Sequence, residues 1–134
     1  MDQVWARLAL EYFYLVFLAV VGLLQVVAAY NELRGISFFS RKIYGYLFAA
    51  FTGGPALAGF FTWNSRNPTG IIHGGEQFVF FLLALITALS FTLIASSLLN
   101  SRRLRGNHVR HDGLEALREV TFFQALWHRL GRRR

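Results

Sequence analysis

Cysteine is absent from the chain, which excludes disulfides, thiol nucleophiles and any zinc or iron–sulfur site built on Cys ligands, and leaves the redox compartment open. Charge is scarce. Only 16% of the 134 residues are charged and 54% are hydrophobic, whereas a typical soluble domain carries roughly 25% charged residues. Much of this surface is therefore expected to face lipid. Equally missing are a glycine-rich phosphate loop, a nucleophile elbow, an Asn-linked glycosylation sequon and any pair of carboxylates within an apolar run. An enzyme acting on its own is accordingly not expected.

What the chain does have is three long apolar runs, at residues 8–30, 43–63 and 78–99, of which the last two contain no charged residue. The shortest has 21 residues and would extend about 31 Å as a helix, against a hydrocarbon core of about 30 Å. A soluble core helix of that length would carry a polar stripe. A cleaved signal peptide is the main rival for the first run, since Val27-Ala28-Ala29 offers small residues. The run is longer than the usual apolar core of about 7 to 15 residues, and Glu11 and Gln25 interrupt it, so it is expected to remain as a span. The expected fold is an all-α integral membrane protein, with a three-helix antiparallel transmembrane bundle over residues 1–100 and a basic tail over 101–134.

The net charge of +7 does not point to nucleic acid, because nine of the fourteen Lys and Arg residues follow Ser101 instead of covering one folded face. Near the helix ends, Arg34, Arg41, Lys42, Arg102, Arg103, Arg105 and Arg110 lie on one side, while Arg7 and Arg66 lie on the other. This imbalance places the first loop and the C-terminus in the cytoplasm and the N-terminus outside. Thirteen Arg against one Lys suggests a GC-rich genome, so the expected location is a bacterial inner membrane. Trp5, Tyr12, Tyr14, Tyr30, Tyr44, Tyr46 and Trp63 fall near the run ends, at the headgroup level that amphipathic rings prefer.

In the tail, Ala116, Val120, Phe123, Trp127 and Leu130 share one side of a wheel drawn at about 100° per residue, with Arg118 and Arg129 opposite. An amphipathic helix over about 113–131 is expected. Its Trp127, with Arg102, Arg103, Arg105, Arg132, Arg133 and Arg134, suits anionic lipid or a partner surface.

Helices in lipid associate through close packing and a few hydrogen bonds, so small residues spaced four apart mark the seams. The third run carries Ala84, Ala88, Thr92 and Ser96; the second carries Gly45, Ala49 and Gly53, and beside them Ala50, Gly54 and Ala58. These two runs are expected to pack on each other. Pro55, after Gly53 and Gly54, is expected to kink the second run, with Thr52 available to the freed carbonyl.

Three side chains are candidates for chemistry. Glu11 is the one ionisable group inside a run; it lies about one turn from the boundary, with Arg7 at i−4 as an ion-pair partner. His73 and Glu76 flank Gly74 and Gly75 at the start of the third run, where Glu76 suits a helix N-terminus and His73 could share a proton or a metal with it. Zinc needs three or four protein ligands, so no metal site is predicted. Gln25 is expected to hydrogen-bond across the bundle. His108 and His111 read as parts of a solvated linker.

In length and helix number the chain is similar to the membrane anchor subunits of succinate dehydrogenase and fumarate reductase. The similarity is one of topology alone: no motif surrounds a haem histidine, and none of His73, His108, His111 and His128 falls within a span. No cofactor is predicted. The expected role is a small noncatalytic accessory or anchor subunit of a larger membrane complex. Alternatives are a homo-oligomeric transporter or channel, with Thr87, Ser90, Thr92, Ser96 and Ser97 beside the Gly53–Pro55 kink lining a path, and a quinone-linked redox anchor.

Overall fold

The computed structural model describes residues 2–67, 70–101 and 120–131. Among them the chain is all helical: α1 (Asp2–Tyr30), α2 (Lys42–Phe61), the single turn α3 (Trp63–Arg66), α4 (Gly74–Asn100) and α5 (Phe122–Gly131). Two segments, Gln3–Tyr30 within α1 and Gly74–Asn100, are long and apolar enough to cross a membrane. The 20-residue α2 falls short of that apolarity. Four glycines, Thr52, Pro55 and two tyrosines lower its apolarity.

The spine is α1, which packs along both α2 and α4. Close approaches pair Leu15 with Gly59, Gly22 with Gly53 and Ala29 with Gly45, so α2 runs antiparallel to α1. Ring contacts pair Trp5 with Phe80 and Phe17 with Phe91, at centroid distances of 5.8 and 5.5 Å, so α4 runs parallel to α1. The small-residue rows of α2 and α4 do not meet each other, contrary to the sequence expectation. Gly45, Ala49 and Gly53 are buried along α2, and Ala84, Ala88, Thr92 and Ser96 along α4; each row is matched to α1. Aromatic rings bridge α2 to α4 instead, through Phe60–Phe81 at one end and Phe48–Phe38–Phe91 at the other. Residue spacing shows that a face is small but not which helix it meets.

Gly54 and Pro55 lie on the exposed side of α2, away from the seam, as do Ala50 and Ala58. The helix continues through Pro55. Thr52 donates to the carbonyl of Phe48 at 2.7 Å, so it does not serve the Phe51 carbonyl that Pro55 deprives of a donor. Tyr12 and Trp63, expected at the membrane interface, are instead core residues, buried with Ala9, Val16, Ile72 and Ala84. Their rings lie 5.0 Å apart, because the turn of α3 folds Trp63 back onto α1.

The helix ends have identifiable stops. Glu32 takes a left-handed φ of 58° after α1, and the Leu33 N–H reaches back to the Ala28 carbonyl at 2.8 Å, the six-to-one bond of a Schellman ending. A glycine usually holds that position; here Glu32 is also paired with Lys42 at 2.6 Å. In the tail, residues 113–119 of the helix expected over 113–131 lie outside the described residues; Val120 and Thr121 are not helical, and α5 begins at Phe122. Thr121 is the cap: the Gln124 N–H donates to its hydroxyl, and its own N–H donates to the Gln124 side chain, at 3.4 and 3.2 Å. This is the capping box spelled by Thr-Phe-Phe-Gln. Of the expected apolar stripe, Phe123, Trp127 and Leu130 are exposed and Val120 is buried; Ala116 and Arg118 lie outside the described residues.

A side chain added at Gly22 would place its Cβ 2.8 Å from the Gly53 Cα, where only backbone could yield. Gly22→Val is therefore expected to lose about 1–3 kcal/mol and lower the thermal midpoint in detergent. Gly54→Ala, with nothing within 4 Å of the new Cβ, should leave that midpoint unchanged or slightly raised.

Candidate functional site

Polar chemistry is concentrated at the two ends of the bundle. At the end where α1 stops and α2 starts, the connecting loop folds beneath the helices and is held there by two carboxamides. Gln25, fully buried in α1, accepts from the Phe38 N–H at 2.9 Å and donates to the Ile36 carbonyl at 3.4 Å. Asn100, the last residue of α4 and 1% exposed, donates to the Ser37 carbonyl at 2.6 Å. Three successive loop residues are thus tied to two different helices. A carboxamide suits this task because it presents a donor and an acceptor without carrying charge into an apolar setting. The expectation that Gln25 bonds helix to helix is corrected: its partners are loop backbone. Asn100 was missed altogether, although a lone amide closing a 22-residue apolar run is a readable signal.

At the opposite end, Glu76 and its neighbours form a second polar cluster. One carboxylate oxygen accepts from the His73 backbone N–H at 3.1 Å and from the Trp5 indole N–H at 3.3 Å. The first bond caps the start of α4; the second ties α4 to α1. His73 Nδ1 stands 3.7 Å from the same oxygen, on an exposed side chain. Glu76 precedes the apolar run of residues 78–99, and the His73 N–H, followed by the Trp5 indole, holds its carboxyl below the usual carboxylate range. Beside it, Asn67 is buried and exchanges two bonds with Ile72, to its carbonyl at 3.1 Å and from its N–H at 3.4 Å. Gln77 donates to the same Ile72 carbonyl at 3.0 Å.

Glu11 lies on α1 with its carboxylate 3.2 Å from Arg7 Nε, and both side chains reach the surface. It is separate from the Glu76 cluster. The five hydroxyls on α4 do not share one face: Thr92, Ser96 and Ser97 are buried, whereas Thr87 and Ser90 are exposed. Thr92 and Ser97 have no hydrogen-bond partner, nor does the buried indole N–H of Trp63. Trp127 is 80% exposed. Arg102, Arg103, Arg105, His108, Arg110, His111, Arg132, Arg133 and Arg134 lie outside the described residues.

Among the described residues no three His, Asp or Glu side chains are grouped to hold a metal ion. Comparison with protein-family models, curated proteins and solved structures finds no match. The arrangement itself must therefore carry the functional reading. Chemically, both clusters position backbone: amides at one end and a capping carboxylate at the other fix loops against helices.

Two outcomes follow. Gln25→Leu leaves the Phe38 N–H and the Ile36 carbonyl without their partner, at about 1–3 kcal/mol for each group where it is desolvated. Tryptic cleavage after Arg34 or Arg41 in detergent is expected to accelerate roughly tenfold or more. Glu76 has a lowered pKa when folded, so its stabilising contribution is present above its unfolded value and is lost as pH falls through the folded one. In a chain with Trp63 and Trp127 replaced by Phe, Trp5 fluorescence should therefore shift on acidification; Glu76→Gln should abolish that shift.

Proposed function

We propose that the chain is a small noncatalytic subunit of a larger membrane complex, crossing the bilayer three times through residues 8–30, 43–63 and 78–99. The N-terminus faces outward, and the basic tail of residues 101–134 lies on the cytoplasmic surface, against anionic lipid or a partner. The up-down-up run of α1, α2 and α4 supports three crossings, and 20 residues of α2 extend about 30 Å, the thickness of a hydrocarbon core. Its low apolarity is compatible with crossing because its glycine seam is covered by α1.

The observation that carries the subunit reading is the surface of α4. Its small-residue seam is buried and Phe80 and Phe81 are partly covered, while Phe78, Ile86 and Leu98 stand 62, 61 and 71% exposed. Water cannot be the neighbour of such a face along a 27-residue helix. Lipid covers a helix of this kind in a monomer, and partner helices cover it in a complex. The exposed Phe123, Leu126, Trp127 and Leu130 of α5, at i, i+3, i+4 and i+7, provide a second apolar face suited to a membrane surface or a partner.

Purification from native membranes in mild detergent tests the assignment, with co-purification of a stoichiometric membrane polypeptide as the expected result. A homogeneous monomer with no associated chain would overturn it. Reporters fused to the two ends should fall in opposite compartments; the same compartment for both would rule out three crossings.

A further inference from the structure

One face of the first half of α1 is open beside α2 and α4, with Leu15 at its edge, where it also packs against Gly59 of α2. It forms the wall of an open groove of about 660 Å³, completed by Arg66 at the end of α3. Its charged lining residues are Arg7 and Glu11 of α1 and Arg66 of α3, with Gln3 and Ala6 on the N-terminal side of Arg7. Beyond Arg7 the wall is Leu10, Tyr14, Leu15 and Leu18. Leu10 to Leu18 spans about 12 Å of helix, close to the roughly 15 Å depth of one hydrocarbon leaflet. The groove therefore has a charged rim and one leaflet's depth of apolar wall.

The sign of the rim narrows the occupant. Two guanidinium groups and one carboxylate line it, so its charged part is cationic. Glu11 engages the Nε of Arg7, and Arg66 forms no ion pair among the described residues. A guanidinium fork matches the oxygens of a phosphate, and two forks on separate helices can hold one phosphate from both sides. An apolar partner helix would match the wall but leave the cationic rim unanswered.

We propose that this groove binds one anionic phospholipid from the leaflet surrounding the N-terminal ends of α1 and α4. Its phosphate sits between Arg7 and Arg66, and an acyl chain lies along Leu10, Tyr14, Leu15 and Leu18. The assignment rests on the chain spanning a membrane, but not on its being a subunit of a complex.

The test uses the full chain in phosphatidylcholine vesicles doped with phosphatidylglycerol bearing a photoreactive acyl chain, with adducts mapped by peptide. Labelling of residues 10–18 should exceed labelling of the exposed α4 face at residues 78–89. Arg66→Gln should reduce the former about fivefold, the weight of one guanidinium beside an anionic headgroup, and leave the latter unchanged. Arg34→Gln, at the other end of the bundle, should change neither. Photoreactive phosphatidylcholine should show no preference for residues 10–18, and soluble glycerol phosphate should not compete.

Equal labelling of residues 10–18 by the two lipids, or no effect of Arg66→Gln, would overturn the proposal. Displacement by glycerol phosphate would show a free-anion site in its place. An unlabelled groove beside a labelled α4 would show that protein occupies it. Failure of the chain to enter vesicles at all would instead refute the membrane reading on which the proposal stands.

Discussion

The contact between Gly22 and Gly53 brings the backbones of α1 and α2 together where neither helix has a side chain to interpose. In a bilayer, burying hydrocarbon against hydrocarbon gives little net drive, so association depends on how closely two backbones can approach. Ala29 with Gly45 and Leu15 with Gly59 continue the same line of contact, which fixes the antiparallel register. Since α1 also carries α4, displacing this seam would disturb the whole bundle.

With the seam in place, both ends close by hydrogen bonds to backbone. Gln25 and Asn100 hold the loop between α1 and α2, while Asn67, Gln77 and Glu76 hold the turn leading into α4. Four of these five side chains are uncharged amides, which costs less in desolvation than a charge would at the same depth. The carboxylate sits at the exposed helix start, where the N–H groups and helix dipole favour it. The result is a small bundle with tied ends and an uncovered flank. The subunit and lipid-groove proposals both concern that uncovered surface, at α4 and at the first half of α1 respectively.

Much of the fold was legible. The helical character of the three runs follows from long uncharged segments, and the rows Gly45–Ala49–Gly53 and Ala84–Ala88–Thr92–Ser96 marked buried sides. The second α2 row, Ala50–Gly54–Ala58, is exposed, and the neighbour expected for both helices was not the one they meet. The cap at Thr121 was also readable as Thr-Phe-Phe-Gln, but the 3.6-residue pattern that continues through it masked this helix start. The candidate site was less legible. Trp5 and Trp63 both look like interfacial rings in sequence, yet Trp5 bonds Glu76 and Trp63 is buried on Tyr12. An aromatic with a polar edge fits either setting, so residue type alone does not choose.

Composition and periodicity alone determined that helices form here and which of their stripes carry small side chains, because those properties depend on residues within one segment. Only the tertiary structure decided that α1, not α2 or α4, is the common neighbour, that Gln25 and Asn100 reach the same loop, and that Arg7 and Arg66 share a groove. Such pairings join residues distant in sequence, and many partners of equal size and polarity would satisfy the same local pattern. What selects among them is the geometry by which three helices and their loops fill space together.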